Sequence, residues 1–123
     1  MSQVATKKIL FAFRHAPYGN NLARDGIDAV LAASVYDQAL SVLFMDDGIF
    51  QLTRQQNSVG IEEKNIEQLL SAFELYDIHQ IYVCSDSLAI RGMTVEDLNM
   101  GGELLSTEEV HQLFTEQDHI LSF

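Results

Sequence analysis

The stretch "QIYVCSDSLAIRG" (residues 80–92) passes from an apolar run straight into a helical pattern. Its first five residues predict a buried strand, because the run is compact and largely apolar. The following "SDSLAIRG" predicts a short helix with a serine or aspartate cap and a stop at Gly92. Cys84, the only cysteine of the chain, therefore lies where a strand ends and a helix begins.

The same alternation of strands and helices continues through the rest of the chain. Apolar runs predict four more strands, at residues 7–14, 39–45, 102–105 and 119–123. Helical spacing predicts helices at residues 22–36 and 62–76, and a capping-box pattern opens another at residues 107–117. Residues 49–61 give no clear pattern. Strands that alternate with helices predict βαβ units, and hence a parallel sheet with helices on both faces.

The composition is typical of a single globular domain, which we place at residues 1–123. Hydrophobic residues make up 47% and charged residues 20%, which excludes a mostly disordered chain. The net charge of −11, from 18 acidic and 7 basic side chains, repels phosphate backbones. We therefore expect no direct binding of nucleic acid, and a basic surface on any protein partner.

The cysteine count and the hydropathy pattern indicate in which cellular compartment the protein is expected. One cysteine cannot form an intrachain disulfide, and a single thiol argues against a structural zinc site. No signal peptide and no membrane-spanning run are visible in the sequence. We expect a cytoplasmic protein without a membrane partner.

Polar residues follow three of the predicted strands at the same edge of the sheet. His15 follows the first strand, Asp46 and Asp47 follow the second, and Cys84 closes the third. In open parallel sheets, ligands and chemistry belong in the crevice beyond the carboxyl ends of the strands. The sequence therefore predicts a crevice formed by these four residues.

Cys84 itself has two interpretations. Free cysteine is among the most buried residue types and usually packs as a small hydrophobe. Alternatively, the backbone amides of Ser85, Asp86 and Ser87 open a helix and stabilise a thiolate, which is the form that attacks sulfur. The residues alone leave both interpretations open.

The other candidate residues favour ordinary structural roles. His15 is either a base at the crevice or a loop residue, and the loop residue is favoured. A turn and a helix cap explain Asp46 and Asp47 better than a metal site, because adjacent carboxylates point in different directions. No metal site is therefore expected. No glycine pattern for nucleotide binding is present either, so we expect no cofactor. Phe50 and Leu52 lie in a short apolar patch and are predicted to face another subunit.

Several stretches together resemble the TusC/DsrF family of the wider DsrE-like group. The most specific are "APYG" (16–19), "ARDGIDAVLA" (23–32), "DDGIFQL" (46–52) and "VCSDSL" (83–88), and the likeness runs from Ile9 to Phe123. The resemblance implies a three-layer α/β/α fold with a five-stranded, mainly parallel sheet. It also implies an intracellular sulfur-relay subunit.

The resemblance further implies partners and a role. Such a subunit assembles with TusB-like and TusD-like homologues into a dimer of heterotrimers. Persulfide sulfur passes from the complex to a downstream sulfur carrier and ends in the 2-thio group of the tRNA wobble uridine. The DsrF version serves dissimilatory sulfur oxidation instead.

In this family the best established sulfur-accepting cysteine belongs to the TusD-like partner, in a comparable strand-to-helix segment. The resemblance therefore implies a structural or accessory subunit, with Cys84 as an accessory sulfur carrier. Two alternatives remain from the residues: a stand-alone thiol enzyme with Cys84 as nucleophile, and a small-molecule or nucleotide binder that uses the crevice.

Overall fold

A computed structural model describes residues 6–16, 22–36, 38–52, 71–98 and 102–123 of the chain. Within these residues, five strands form one sheet in the order β4-β3-β2-β1-β5. The strands are β1 (Lys8–Phe13), β2 (Ala39–Phe44), β3 (Ile81–Cys84), β4 (Glu103–Leu105) and β5 (His119–Ser122). Every pairing is parallel, which confirms the predicted sheet. All five carboxyl ends therefore lie at one edge.

The connections between the strands are mostly helical. They comprise α1 (Leu22–Ala33), a 3-10 helix (Asp46–Leu52), α2 at residues 71–75, α3 (Ser85–Ile90), a 3-10 turn (Val95–Asp97) and α4 (Thr107–Thr115). The helix predicted at residues 62–76 is helical at 71–75, and its earlier part lies outside the described residues. No helix in the described ranges is both long and apolar enough to cross a membrane.

The ends of two helices follow the signals in the sequence. The Ser106 hydroxyl accepts a hydrogen bond from the Glu109 amide at 3.2 Å, and the Glu109 carboxylate accepts one from the Ser106 amide at 2.9 Å. This confirms the capping box of α4. Helix α3 stops before Gly92, which has a φ of +68°. Its expected serine or aspartate cap is wrong, because β3 runs into α3 without a loop and Cys84 itself is the N-cap residue.

The sheet buries both of its faces, because successive strand residues point to opposite sides. On the first face, Phe11, Phe13, Val42, Phe44 and Val83 pack with residues of α1, the 3-10 helix and α3. On the second face, Leu10, Leu43, Cys84 and Leu105 pack with Val110 and Leu113 of α4. The protein is therefore a three-layer α/β/α domain, as the sequence predicts.

Of the described helices, α4 alone lies on the second face, and the strand order explains why. From β1 to β4 the chain moves across the sheet in one direction, and then α4 returns it to β5, beside β1. Parallel crossovers are right-handed, so reversing the direction of travel moves the connecting helix to the opposite face. We call these two faces the α1 face and the α4 face.

Phe13, at the end of β1, is fully buried on the α1 face and closely approached by three other segments. Its ring stacks on Phe44, with ring centroids 5.2 Å apart, and on Phe123 at 5.8 Å. A Cβ atom built on Gly26 would lie 2.4 Å from the Phe13 ring, and one built on Gly48 would lie 1.9 Å from the Phe13 carbonyl oxygen. Glycine is thus required at both positions by close approach to a single residue.

We predict that Gly48→Ala lowers the free energy of unfolding by about 3 kcal/mol or more, because the added methyl group meets backbone that cannot move aside. Gly92→Ala is the matched control. Its Cβ meets no atom within 4 Å, so only the cost of a left-handed backbone remains, about 1–2 kcal/mol. Urea unfolding followed by circular dichroism measures both variants. Equal losses in the two would contradict the steric explanation.

Candidate functional site

The strand connections place one crevice at the carboxyl edge of the sheet. The chain leaves β3 toward the α1 face, through α3, and leaves β4 toward the α4 face, through α4. In open α/β sheets, a crevice forms where neighbouring strands send their connections to opposite faces. The crevice formed by these diverging connections therefore lies between β3 and β4, where Cys84 pairs with Leu105.

Cys84 lies where the connections of β3 and β4 diverge but is closed off from solvent. Its exposed fraction is 6%, and it belongs to the apolar cluster of the α4 face with Leu105, Val110 and Leu113. Although Cys84 is the N-cap residue of α3, its side chain makes no capping hydrogen bond. The thiol thus packs as a small hydrophobe, while the predicted effect of the first-turn amides on a thiolate stays a prediction.

The three residues after Cys84 have different surroundings. Ser85 is half-buried, and Asp86 is exposed. Asp86 accepts a hydrogen bond from the Thr107 hydroxyl of α4. Ser87 is buried, and its hydroxyl oxygen accepts a hydrogen bond from the Asp46 amide at 2.9 Å. The start of α3 is therefore tied both to α4 and to the segment that follows β2.

Asp46 adopts a backbone conformation that is rare for residues other than glycine, with φ at +50°. Such local strain persists only where the surroundings hold it. The Ser87 hydroxyl holds the Asp46 amide, and the Arg14 Nε donates to the Asp46 carboxylate at 3.0 Å. Ser87 is the more important support, because the Arg14 ion pair is about half exposed on both sides and such pairs contribute about 0–1 kcal/mol.

Asp47 pairs with Arg91, a residue that the sequence analysis did not single out. The Arg91 guanidinium donates to the Asp47 carboxylate from Nε at 3.1 Å and from Nη2 at 2.9 Å. Its Nη1 also donates to the Ser87 carbonyl at 3.2 Å. Both aspartates of the predicted crevice are thus engaged by arginines, which fits the structural interpretation of this pair.

His15 lies at the same edge of the sheet as Cys84 but two strands away from it. It follows β1, whereas Cys84 ends β3, and β2 lies between these strands. Two strand spacings separate the backbones by about 10 Å. His15 is exposed, and its carbonyl accepts a hydrogen bond from the side-chain amide of the buried Gln51 at 3.0 Å. The structure therefore brings Ser87, Asp46, Asp47 and Arg91 together and leaves His15 at the margin.

The two residues predicted to face another subunit differ in burial. Phe50 is half-buried, so part of its surface can reach a partner. Leu52 has an exposed fraction of 0% and belongs to the core of the α1 face. The prediction for Leu52 does not fit this burial, because the 3-10 helix turns that side chain into the protein's own core.

The charges near Tyr82, which lies on the α4 face two residues before Cys84, are acidic. Burial raises the pKa of Tyr82, and the nearby carboxylates of Glu103 and Glu116 raise it further. A negative field of this kind disfavours another anion at the Tyr82 position.

Among the residues that the structure describes, no three His, Cys, Asp or Glu side chains are grouped so that they could hold a metal ion.

The fold and the site define a class: a three-layer α/β/α domain with a buried thiol at the carboxyl edge of a five-stranded parallel sheet. The chain belongs to the DsrE/DsrF-like family, whose family model matches residues 7–123. This confirms the family resemblance drawn from the sequence motifs.

Individual relatives and a solved structure agree with this assignment. The chain is 41% identical over 116 residues to the protein TusC homolog of Vibrio parahaemolyticus, covering 94% of this chain and 98% of that protein. In an alignment of 137 positions, it is 38% identical to the intracellular sulfur oxidation protein DsrF of Allochromatium vinosum, and the alignment covers all of both chains. The crystal structure of the ychN protein from E. coli matches 97% of this chain with a TM-score of 0.75. At 23% identity, that likeness shows the fold alone.

We predict that Ser87→Ala lowers the free energy of unfolding by about 1–3 kcal/mol, because the partly buried Asp46 amide loses its acceptor. Ser85→Ala is the matched control, since Ser85 makes no hydrogen bond to Asp46 and lies two residues away. Thermal and urea unfolding of both variants measures the difference. A Ser87→Ala variant as stable as Ser85→Ala would show that the contact does not hold the strained backbone.

Proposed function

We propose that this chain is a subunit of a cytoplasmic sulfur-relay complex, in which its role is mainly structural or accessory. Family membership and the relatives named TusC homolog and DsrF support the sulfur relay. The observation that carries the accessory role is the burial of Cys84, with an exposed fraction of 6%. A thiolate must meet its sulfur donor directly, and a thiol packed in an apolar cluster is normally inert.

The destination of the sulfur that we propose is the 2-thio group of the tRNA wobble uridine. The 41% identity to a TusC homolog over nearly the whole chain favours this destination. The second candidate is a subunit for intracellular sulfur oxidation, favoured by the 38% identity to DsrF over the full length of both chains. In either pathway the chain works within an assembly that hands sulfur on to a downstream carrier.

The partners that we propose are TusB-like and TusD-like homologues in a dimer of heterotrimers. Two features of the chain support assembly. First, large apolar side chains of edge strand β5 remain exposed in the isolated chain, with exposed fractions of 43% for Ile120 and 45% for Leu121. Second, the net charge of −11 is complementary to a basic partner and opposes direct contact with tRNA.

A stand-alone thiol enzyme has less support. A cysteine nucleophile needs an adjacent base or a position that stabilises its thiolate. His15 lies beyond β2 from Cys84, and the Cys84 side chain accepts no hydrogen bond from the start of α3. The principal sulfur acceptor is therefore expected on a partner subunit.

We predict that the tagged chain, isolated from its native cells, carries two homologous small subunits. Phe50→Asp should weaken this association while the circular dichroism spectrum stays native, because Phe50 is only half-buried. Leu52→Asp places a charge in the core and should unfold the chain, which makes it the control for a core position. Isolation of the wild-type chain as a stable monomer would contradict the proposed complex.

We also predict that Cys84→Ser leaves folding and assembly intact and only partly reduces the 2-thiouridine content of tRNA. Cys84→Ala serves as the matched variant, because it removes the thiol without placing a hydroxyl group in the apolar cluster. Nucleoside mass spectrometry of tRNA from cells carrying each variant measures the effect. Complete loss of thiolation in both variants would make Cys84 a primary sulfur acceptor and overturn the accessory role.

A further inference from the structure

Helix α4 covers the α4 face where Cys84 lies. The Cys84 side chain packs in one cluster with Val110 and Leu113, the two buried residues of α4. Its neighbour across the strand pair, Leu105, ends β4 and leads into α4 through the N-cap residue Ser106. A molecule that approaches the thiol from the α4 face must therefore displace this helix.

The attachment of α4 to the sheet is limited. Two of its nine residues are buried, and Phe114 is partly buried against the same cluster. Segments with few buried apolar contacts open locally at a lower free energy than the whole domain unfolds. Helix α4 is thus a segment suited to local opening.

A single side-chain hydrogen bond joins the first turn of α4 to the first turn of α3. The Thr107 hydroxyl donates to the Asp86 carboxylate. Thr107 stands two residues beyond Leu105, and Asp86 stands two residues beyond its strand partner Cys84. The bond therefore crosses the crevice between β3 and β4, directly beyond the end of the strand pair that contains the thiol.

The chain beyond the far end of α4 is attached more firmly. The Asp118 amide donates to the Lys8 carbonyl at 2.8 Å, and the Asp118 carboxylate accepts from the Lys8 amide at 2.8 Å. At the end of β5, the Phe123 ring stacks on Phe11 and Phe13. With that end anchored, the first turn is the part of α4 that can lift.

We propose that α4 is a movable cover over the Cys84 thiol and that the Asp86–Thr107 hydrogen bond is its latch. The thiol becomes accessible when the first turn of α4 lifts from the sheet with the helix itself intact. This proposal concerns access to one side chain and holds whether or not the chain serves a sulfur relay.

Thiol labelling of the folded chain tests the proposal. Cys84 is the only cysteine, so a neutral chromogenic disulfide such as 4,4′-dithiodipyridine reports its modification alone. The wild-type rate should be slow and nearly independent of urea well below the unfolding midpoint, because a local opening exposes little surface. A rate that rises steeply with urea from the lowest concentrations would show that labelling requires global unfolding, and would overturn the proposal.

Variants of the two latch residues provide the second part of the labelling test. Thr107→Val and Asp86→Ala should each raise the labelling rate in dilute urea by about fivefold to tenfold, since each removes one charge-assisted hydrogen bond from the closed state. The double variant should label no faster than the faster single variant, because both changes remove the same bond. Thr107→Ser keeps the hydroxyl group and should label at the wild-type rate.

Thr115→Val is the matched control at the far end of the same helix. The Thr115 hydroxyl donates to the Gln112 carbonyl within α4 at 2.8 Å, and this bond survives when the helix lifts intact. Thr115→Val should therefore lower global stability without raising the labelling rate in dilute urea. Equal acceleration in Thr107→Val and Thr115→Val would refute the latch.

Hydrogen exchange of the wild-type chain gives an independent readout if the latch variants do not fold. The Val110 amide, which bonds the Ser106 carbonyl at 2.9 Å, should exchange through an opening with weaker urea dependence than the amides of β2, because a nine-residue helix that has left the sheet is only marginally stable. Identical urea dependence in the two segments would show that α4 does not open by itself, and the proposal would fail.

Discussion

The close packing around Phe13 fixes the arrangement of the α1 face. Helix α1 reaches the ring through Gly26, and the 3-10 helix after β2 reaches the Phe13 carbonyl through Gly48. The same carbonyl oxygen accepts a hydrogen bond from the Met45 amide at 3.0 Å. One residue at the end of the first strand thus positions two connections at once. Both glycines lie within the stretches that carry the family likeness, so the motif glycines have a steric explanation.

This packing determines what the carboxyl edge of the sheet presents. The 3-10 helix, pressed against Phe13, places Asp46 beside the Ser87 hydroxyl and Asp47 beside the Arg91 guanidinium. The polar contacts of the edge consequently join the segment after β2 to α3, on the α1 face. Cys84 points to the other face and packs beneath α4. The location typical of chemistry in a parallel sheet is therefore occupied mainly by contacts that hold the fold together, while the thiol is covered.

A covered thiol suits a subunit that supports chemistry performed on a homologous partner. Among the described residues, neither His15, which lies beyond β2, nor a hydrogen bond from the α3 amides supports Cys84 as a nucleophile. Exposed apolar residues on β5 and the acidic surface are more informative about assembly than about catalysis. The role proposed for the chain therefore rests on what it can bind to, and the sulfur acceptor is proposed to lie on a partner subunit.

The sequence predicted the local elements of this fold well, because each has a local cause. Five apolar runs became five strands, the pattern at Ser106 and Glu109 became a capping box, and Gly92 ended a helix. Contacts between distant segments were not predictable in the same way. Arg91 meets Asp47 across 44 positions and Thr107 meets Asp86 across 21, and no spacing rule connects such pairs. The burial of Leu52 was not predictable either, because an apolar patch in a loop gives no sign of whether it faces a partner or the core.

The most direct test of the account is to locate the sulfur in the intact native complex. The purified assembly is loaded with persulfide sulfur by a cysteine desulfurase, and each subunit is weighed by mass spectrometry under non-reducing conditions. Each sulfur atom bound to a thiolate adds about 32 Da. The account predicts that a partner subunit gains this mass first and that the present chain gains little. Primary loading on Cys84, ahead of every partner, would contradict it.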